Sequence, residues 1–479
     1  MKKSVLLILI AALLITALLP ACTDRKTPSG EAAATSESGT VSPETEYPLG
    51  TPDRTFNGYG FRVLVSDPST IVWYDVDFTY DDIANTLDNA VFQRISRVND
   101  QLDIEITPVY ANPVITELQK VIVSGDDEFD ICFAAPKAVS GMIRDGDFLN
   151  LNDIPYLDLD APWWDHNAVD GLTVDDKLYI AAGDIGYNYL RSTSVIFFNK
   201  SIVADGKLAD PYKMVEEGKW TFDSMFEMAA ACNHDIDSDG LDPDKDMMGI
   251  VYCGDTLYQM LIAGDCTFVT PTADRSSFEL SFMSDRTYDV FETLTYYLYG
   301  KSANWDITHV NASTQFTSGK LLFIPTEFWV ITTFREMLPD FGVLPMPKYD
   351  EKQSEYHHTV NQDVAAMMLI PITNRDTERT GIIAETLAYT GKQLLRPAYI
   401  ETSLISKWSR DDESEATIRM IFDSIYYDTG FMFDIGGIKG TIVQMAASAS
   451  DALTSTYESR RPVYEAELEK LLTDYEKLK

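Results

Sequence analysis

The sequence predicts an α/β protein whose core is a parallel sheet covered by helices. The opening of the body reads strand, helix, strand, helix, strand, a rhythm that favours parallel pairing. Turn-forming residues punctuate each change. At 45% hydrophobic and 11% aromatic, the chain also has ample core-forming material.

The first strand is the apolar run Phe61-Arg-Val-Leu-Val65, ended by Ser66-Asp67-Pro68. Leu87, Ala90, Val91, Ile95, Val98 and Leu102 then recur at helical spacing, with Asn85 or Thr86 as cap. Residues 103–110 alternate as a strand, 113–123 form a helix stopped by Ser124-Gly-Asp-Asp127, and 129–134 read as a buried strand. Ligands of such sheets bind beyond the carboxyl ends of the strands, so the loops after residues 65 and 134 are the first places to look. Further along, 194–199, 320–324, 341–344 and 363–370 are apolar runs. A helix starts near 223, capped by Thr221 or Asp223, and 380–395 and 414–427 have helical character. Residues 462–477 form a polar terminal helix with Pro462 at its start.

The N-terminus is built differently. Lys2 and Lys3 precede an apolar stretch, 4–19, and then Leu19-Pro20-Ala21-Cys22. A small residue directly before a Cys at the end of an apolar core resembles a bacterial lipobox, with Pro20 where a small residue usually stands. That makes 1–21 a signal peptide and Cys22 the lipidated first residue of the mature chain, anchoring it to the outer face of the cell membrane. Sixteen apolar residues are short for a membrane span of about twenty. Ordinary secretory cleavage and an uncleaved anchor are the alternatives. Residues 22–52 carry almost no large apolar side chain and are expected to be a disordered tether.

About 430 residues follow, too many for a single compact core, which points to two lobes. The formal charge of −37 repels nucleic acid and anionic lipid headgroups. Cys132, Cys232, Cys253 and Cys266 are irregularly spaced, so neither a disulfide scaffold nor a zinc ribbon is indicated. A Cys253–Cys266 bridge and single buried thiols both remain open.

Enzyme signatures are missing. The sequence has no His-Glu-x-x-His and no Gly-x-Ser-x-Gly, and Gly300-Lys301-Ser302 lacks the first Gly of a phosphate loop. His357-His358 are sequence neighbours and read as structural. A glycosidase needs only two suitably spaced carboxylates, so it stays open as an alternative.

Two constellations carry chemistry. Asp235, Asp237 and Asp239, followed by Gly240, Leu241 and Asp246 at the twelfth position, could converge on one calcium ion with the Leu241 carbonyl as a further ligand. The shorter Asp246 replaces the usual Glu, and a solvated acidic turn is the plainer reading. The second is a set of loop aromatics, among them Trp73, Tyr74, Trp163, Trp164, Tyr187, Phe328, Trp329 and Phe433. Beside them lie Asp75, Asp184, Glu327, Asn361 and Asp434. Flat rings for sugar C–H faces and polar groups for hydroxyls are what a carbohydrate site needs. Core packing is the alternative for any one ring.

Seven stretches in order carry a resemblance. They are Ser124-Gly-Asp-Asp-Glu-Phe-Asp130, Pro162-Trp-Trp164, Phe197-Phe-Asn-Lys200, Gly218-Lys-Trp-Thr-Phe-Asp223, the Asp-rich loop ending Met248-Gly-Ile250, Ser318-Gly-Lys320, and Phe341 to Asp350. Together they resemble the family 1 extracellular solute-binding proteins, the relatives of maltose-binding protein that serve carbohydrate ABC importers. The resemblance implies two α/β lobes joined by crossing hinge strands, a carbohydrate (an oligosaccharide) in the cleft, importer transmembrane subunits as partners, a monomer, and no catalysis. It puts an N-lobe at 53–199 with a return at 358–410, and a C-lobe at 200–357 with 411–479, so the chain crosses after Asn199-Lys200 and near 358–366. It matches 71–75 and 134–137, including Lys137, to cleft-lining loops. Phe328 or Trp329 inherits the ring at the sugar, and 428–434 a second one. A lipid-anchored hydrolase and a receptor for a non-sugar solute, such as a peptide or polyamine, are the competing readings.

Overall fold

Two four-stranded sheets organise the chain, as seen in a computed structural model that describes residues 47–69, 77–80, 82–253, 255–273, 277–299, 309–334, 337, 340–405, 412–447 and 452–478. The expected signal peptide, Cys22, most of the expected tether, and Trp73, Tyr74 and Asp75 lie outside the described residues. Tyr47–Lys479 forms one compact unit.

The first sheet contains β1 (Tyr59–Ser66), β2 (Ile104–Ala111), β3 (Ile131–Ala134) and β10 (Met367–Leu369), in the order β10-β3-β1-β2. β1 runs parallel to β2 and β3, as the strand–helix rhythm predicts, and β10 closes the edge antiparallel to β3. The helices Thr86–Leu102 and Val114–Ser124 make the crossovers. Asn85 caps the first by accepting from the Leu87 amide. The second ends at Gly125, whose φ of 71° is the left-handed turn that glycine adopts without a Cβ penalty.

The second sheet contains β4 (Ser194–Asn199), β5 (Met248–Ile250), β8 (Leu321–Glu327) and β9 (Phe341–Leu344), in the order β5-β8-β4-β9. β4 is antiparallel to β8 and β9 and fully buried, which explains its unbroken apolar run. A small antiparallel pair, β6 (Val269–Pro271) with β7 (Phe278–Leu280), stands apart from both.

The resemblance puts the first crossover after Asn199. β4 already belongs to the second sheet, so the chain passes over at Ser192–Ser194, before that strand begins. It returns at His358–Asn361, and the two passes pair: the Ser194 amide donates to Thr359 O (2.9 Å) and the Asn361 amide to Ser192 O (2.9 Å). Residues 424–426 lie along the other side of the return pass, where His358 N reaches Ser424 O (3.1 Å) and Tyr426 N reaches His358 O (2.7 Å). His358 is fully buried there. Its Nε2 accepts from the Met346 amide (3.0 Å) and its Nδ1 faces Ser424 Oγ (2.8 Å). Burial, then the neighbouring His357, pulls its pKa down to about 3, so the ring is neutral.

The terminal helix is Leu453–Lys477, longer than the pattern suggests, with Pro462 inside rather than at its start. It survives the proline because Leu453, Tyr457, Tyr464, Leu468, Leu471 and Tyr475 keep a buried stripe along it. Its first half packs Tyr457 on Phe282 and Tyr464 on Phe268, beside the β6–β7 pair. Its second half pairs Glu467 and Asp474 with Arg144 and sets Tyr475 against Tyr179, on the side of the first sheet.

Candidate functional site

A charged seam forms where the return pass meets the ends of β3 and β8. Asn361, the last residue of that pass, is 4% exposed. Its Nδ2 donates to Asp255 Oδ2 (3.0 Å) and to Glu327 Oε1 (3.2 Å). Glu327, at the end of β8, is 1% exposed and also accepts from Gln259 Nε2 (2.6 Å) and Trp329 Nε1 (3.0 Å). Asp255 and Gln259 lie at and just inside the start of the helix Thr256–Ala263, which packs against the helix Ile438–Ala447.

Two lysines complete it. Lys439 reaches Asp255 Oδ1 (2.6 Å) and Asp363 Oδ2 (2.7 Å), with its ammonium 4.7 Å from the Tyr258 ring centre. Lys137 comes from the other side, on the helix that begins directly after β3 in the first sheet. It reaches Asp363 Oδ1 (3.1 Å) and Asp434 Oδ2 (3.2 Å). Burial disfavours the Lys137 ammonium, but Asp363 and then Asp434 outweigh it and raise its pKa. Burial works against the Asp363 carboxylate too, yet Lys439 and Lys137 hold its pKa low. Asp434 is set by the left-handed turn that starts this stretch (φ 50°), and its Oδ1 accepts the Lys439 amide (3.1 Å). Lys137 and Asp363 remain 38% and 39% exposed at the side chain, so the seam opens to solvent.

Of the candidates from sequence, the structure brings together Lys137, Glu327, Trp329, Asn361 and Asp434. Trp329 is half-buried, but Phe328 is not at the seam. Consecutive residues at the end of β8 face different ways, and Phe328 is fully buried against Phe197 and Phe422. Phe433 is 6% exposed. Tyr187 is buried in a stack on Tyr399, with centroids 5.0 Å apart. Trp164 and Asp184 share the wall of a separate cavity of about 380 Å³ with Tyr189, Lys392 and Arg396. There Trp164 Nε1 donates to Glu385 and Asp184 pairs with Arg396 (3.3 Å). Burial raises the Asp184 pKa to about 6 despite that partner.

The sequence reading missed Asp255, Gln259, Asp363 and Lys439. Asp363 sits two residues beyond Asn361 in a segment already suspected of crossing, which is a usable signal. The others meet the seam only through helix packing that no local pattern encodes.

At the Asp-rich loop, Asp235, Asp237 and Asp239 place carboxylate oxygens within 4.8 Å of one another. Asp246 does not join them. It is fully buried and its two oxygens accept the Ile236 and Asp242 amides (2.9 and 2.8 Å). Lys245 already supplies positive charge to Asp239 and Asp242 at 3.2 Å each. The three converging carboxylates fit a hard cation; the twelfth position braces the turn. All four described cysteines are buried, and Cys253 and Cys266 are not bridged to each other. Among the described residues no helix is long and apolar enough to cross a membrane.

No family model matches the chain, and no curated protein does. Solved structures do. A cyclo/maltodextrin-binding protein complexed with maltotetraose superposes with a TM-score of 0.59 at 14% identity, covering 87% of this chain and 98% of that one. The ABC substrate-binding protein Lmo0181 from Listeria monocytogenes, in complex with cycloalternan, gives 0.54 at 12% identity over 85% and 99%. UgpB from Mycobacterium tuberculosis, in complex with glycerophosphocholine, gives 0.57 at 13% over 83% and 99%. These neighbours are binding proteins rather than enzymes, and near-complete coverage of each means that the likeness is one of whole architecture. The chain has the two-lobed α/β fold of the periplasmic-binding-protein-like solute receptors.

Proposed function

We propose that this chain is the solute receptor of a carbohydrate ABC importer, held at the outer face of the membrane by a lipid on Cys22. The observation that carries the reading is the seam. Groups from both sheets meet there, it is open to solvent, and it offers a half-buried indole beside hydrogen-bonding groups fixed by neighbours. Trp329 offers a face for sugar C–H groups. Asp255, Asp363, Asp434 and Asn361 offer acceptors and donors for hydroxyls. Two of the neighbours named above hold maltotetraose and cycloalternan, which supports an oligosaccharide ligand here.

Binding energy gained from both sides at once favours the closed arrangement over the open one, and that difference drives closure. Hydrolysis is the weaker reading. A general acid needs a raised pKa, yet Asp363 is held low. Among the described residues the carboxyls pushed upward lie elsewhere: Asp184 pairs with Arg396, Asp165 accepts from Tyr427 and the Ala168 amide, Glu385 accepts from two indoles, Asp428 accepts from the backbone amides of Phe268, Val269 and Phe431, and Asp147 and Asp237 sit in other loops. Calorimetry against a panel of linear and cyclic oligosaccharides is expected to give saturable binding with the sugar recovered intact. Shortened sugar in the recovered sample would refute the receptor reading.

A further inference from the structure

The seam is anionic beyond its own lysines. Asp255, Glu327, Asp363 and Asp434 bring four carboxylates, and among the described residues two ammonium groups, Lys137 and Lys439, answer them. Glu327 shows the imbalance best. Its three bonds come from neutral donors, Gln259, Asn361 and Trp329, and no described cationic group stands within ion-pair distance of it. A carboxylate taken out of water on neutral donors alone keeps a substantial desolvation cost. Asn361 adds to the strain by holding Asp255 and Glu327 on one amide nitrogen, so two anions sit close together.

A second observation shows where a cation fits. Lys137 lays its ammonium between Asp363 and Asp434 at 3.1 and 3.2 Å. It arrives on a flexible four-carbon stem from the other side of the seam and stays 38% exposed. The seat therefore accepts a primary ammonium, and the occupant can swing away without breaking the core.

We propose that the ligand is an amino-bearing carbohydrate, whose protonated amine takes the Lys137 seat between Asp363 and Asp434. This deepens the receptor reading above and rests on it. No bond is made or broken; one ammonium replaces another, and Lys137 moves to solvent.

The test uses the full chain and calorimetry at about pH 6 with three probes of equal length: a glucosamine trimer, its fully N-acetylated form, and cellotriose. The glucosamine trimer is expected to bind at least tenfold tighter than the other two. The advantage is expected to vanish near pH 9, where the sugar amine is neutral. Lys137→Met removes the internal competitor and is expected to tighten the glucosamine trimer severalfold at pH 6 but not at pH 9. Asp434→Asn is expected to weaken it at least tenfold. Equal affinity for all three probes overturns the amine but leaves the receptor reading standing. Binding of none of them also overturns the amine, and the oligosaccharide panel above then decides the receptor reading separately.

Discussion

Two places among the described residues set an indole N–H on a carboxylate, and their surroundings are opposite. At the first, Trp163 and Trp164 donate to the two oxygens of Glu385 at 2.9 and 3.0 Å. Both rings are nearly fully covered, and Trp163 is boxed edge-on by Tyr47 and Tyr389. At the second, Trp329 donates to Glu327 at 3.0 Å, but its ring is half-open, at a seam that also holds the ion-paired Lys137 and Lys439. The same pair of side chains is closed packing in one place and, in the reading proposed above, a ligand surface in the other. Access and neighbouring charge decide which, not the pair itself.

The largest expected effect falls on the closed pair. Trp163→Ala should cost about 3–5 kcal/mol of unfolding free energy, read by urea titration, because it leaves a large cavity and strands one oxygen of Glu385. Sugar affinity per folded molecule should not change. Loss of affinity at unchanged stability would mean that the closed pair is a binding surface after all.

Next comes pH. Burial raises the Glu385 pKa from 4.5 to about 7, against the pull of the indoles and the Asp158 amide. A carboxyl raised in the native state binds its proton more tightly there than in the unfolded chain. Its contribution is complete below about pH 4.5 and is lost as pH rises through 7. Glu385→Gln should remove that slope. The stability of the parent relative to the variant is then expected to fall by on the order of 2 kcal/mol between pH 5 and 8. Parallel curves would show that Glu385 is ionised throughout.

The open pair should respond least in stability and most in binding. Trp329→Ala is expected to reduce oligosaccharide affinity about tenfold, on the order of 1.4 kcal/mol, and to change unfolding free energy by less than about 1 kcal/mol. A stability loss as large as that of Trp163→Ala would erase the distinction between the two sites.

What could be read from the sequence follows the same line. β4 and β9 fall at their expected limits because a strand buried on both faces leaves an unbroken apolar run. The terminal helix begins at Leu453, earlier than expected, because Pro462 looks like a start signal while the buried stripe through Leu453 and Tyr457 runs past it. The site was partly legible. Glu327, Trp329 and Asn361 carry the right chemistry near suspected crossings. Phe328 and Trp164 have the same chemistry, and composition does not say which side of the backbone a ring takes. Asp255 and Lys439 are 184 positions apart and meet only because two helices pack, which no local pattern records.

The terminal helix runs from the β6–β7 pair to the side of the first sheet, from Tyr464 on Phe268 to Tyr475 on Tyr179, and is held at its far end by Lys177 on the Tyr475 carbonyl as well. A rod bolted at both ends is a stay: the closure proposed above requires it to bend, slide or let go. Pro462 deletes one rung of its hydrogen-bond ladder about a turn before the anchorage changes sides, and supplies a ready elbow. In the receptor reading proposed above, the range of the jaw is then set from behind, by how far that elbow gives before Arg144 loses its hold on Glu467 and Asp474.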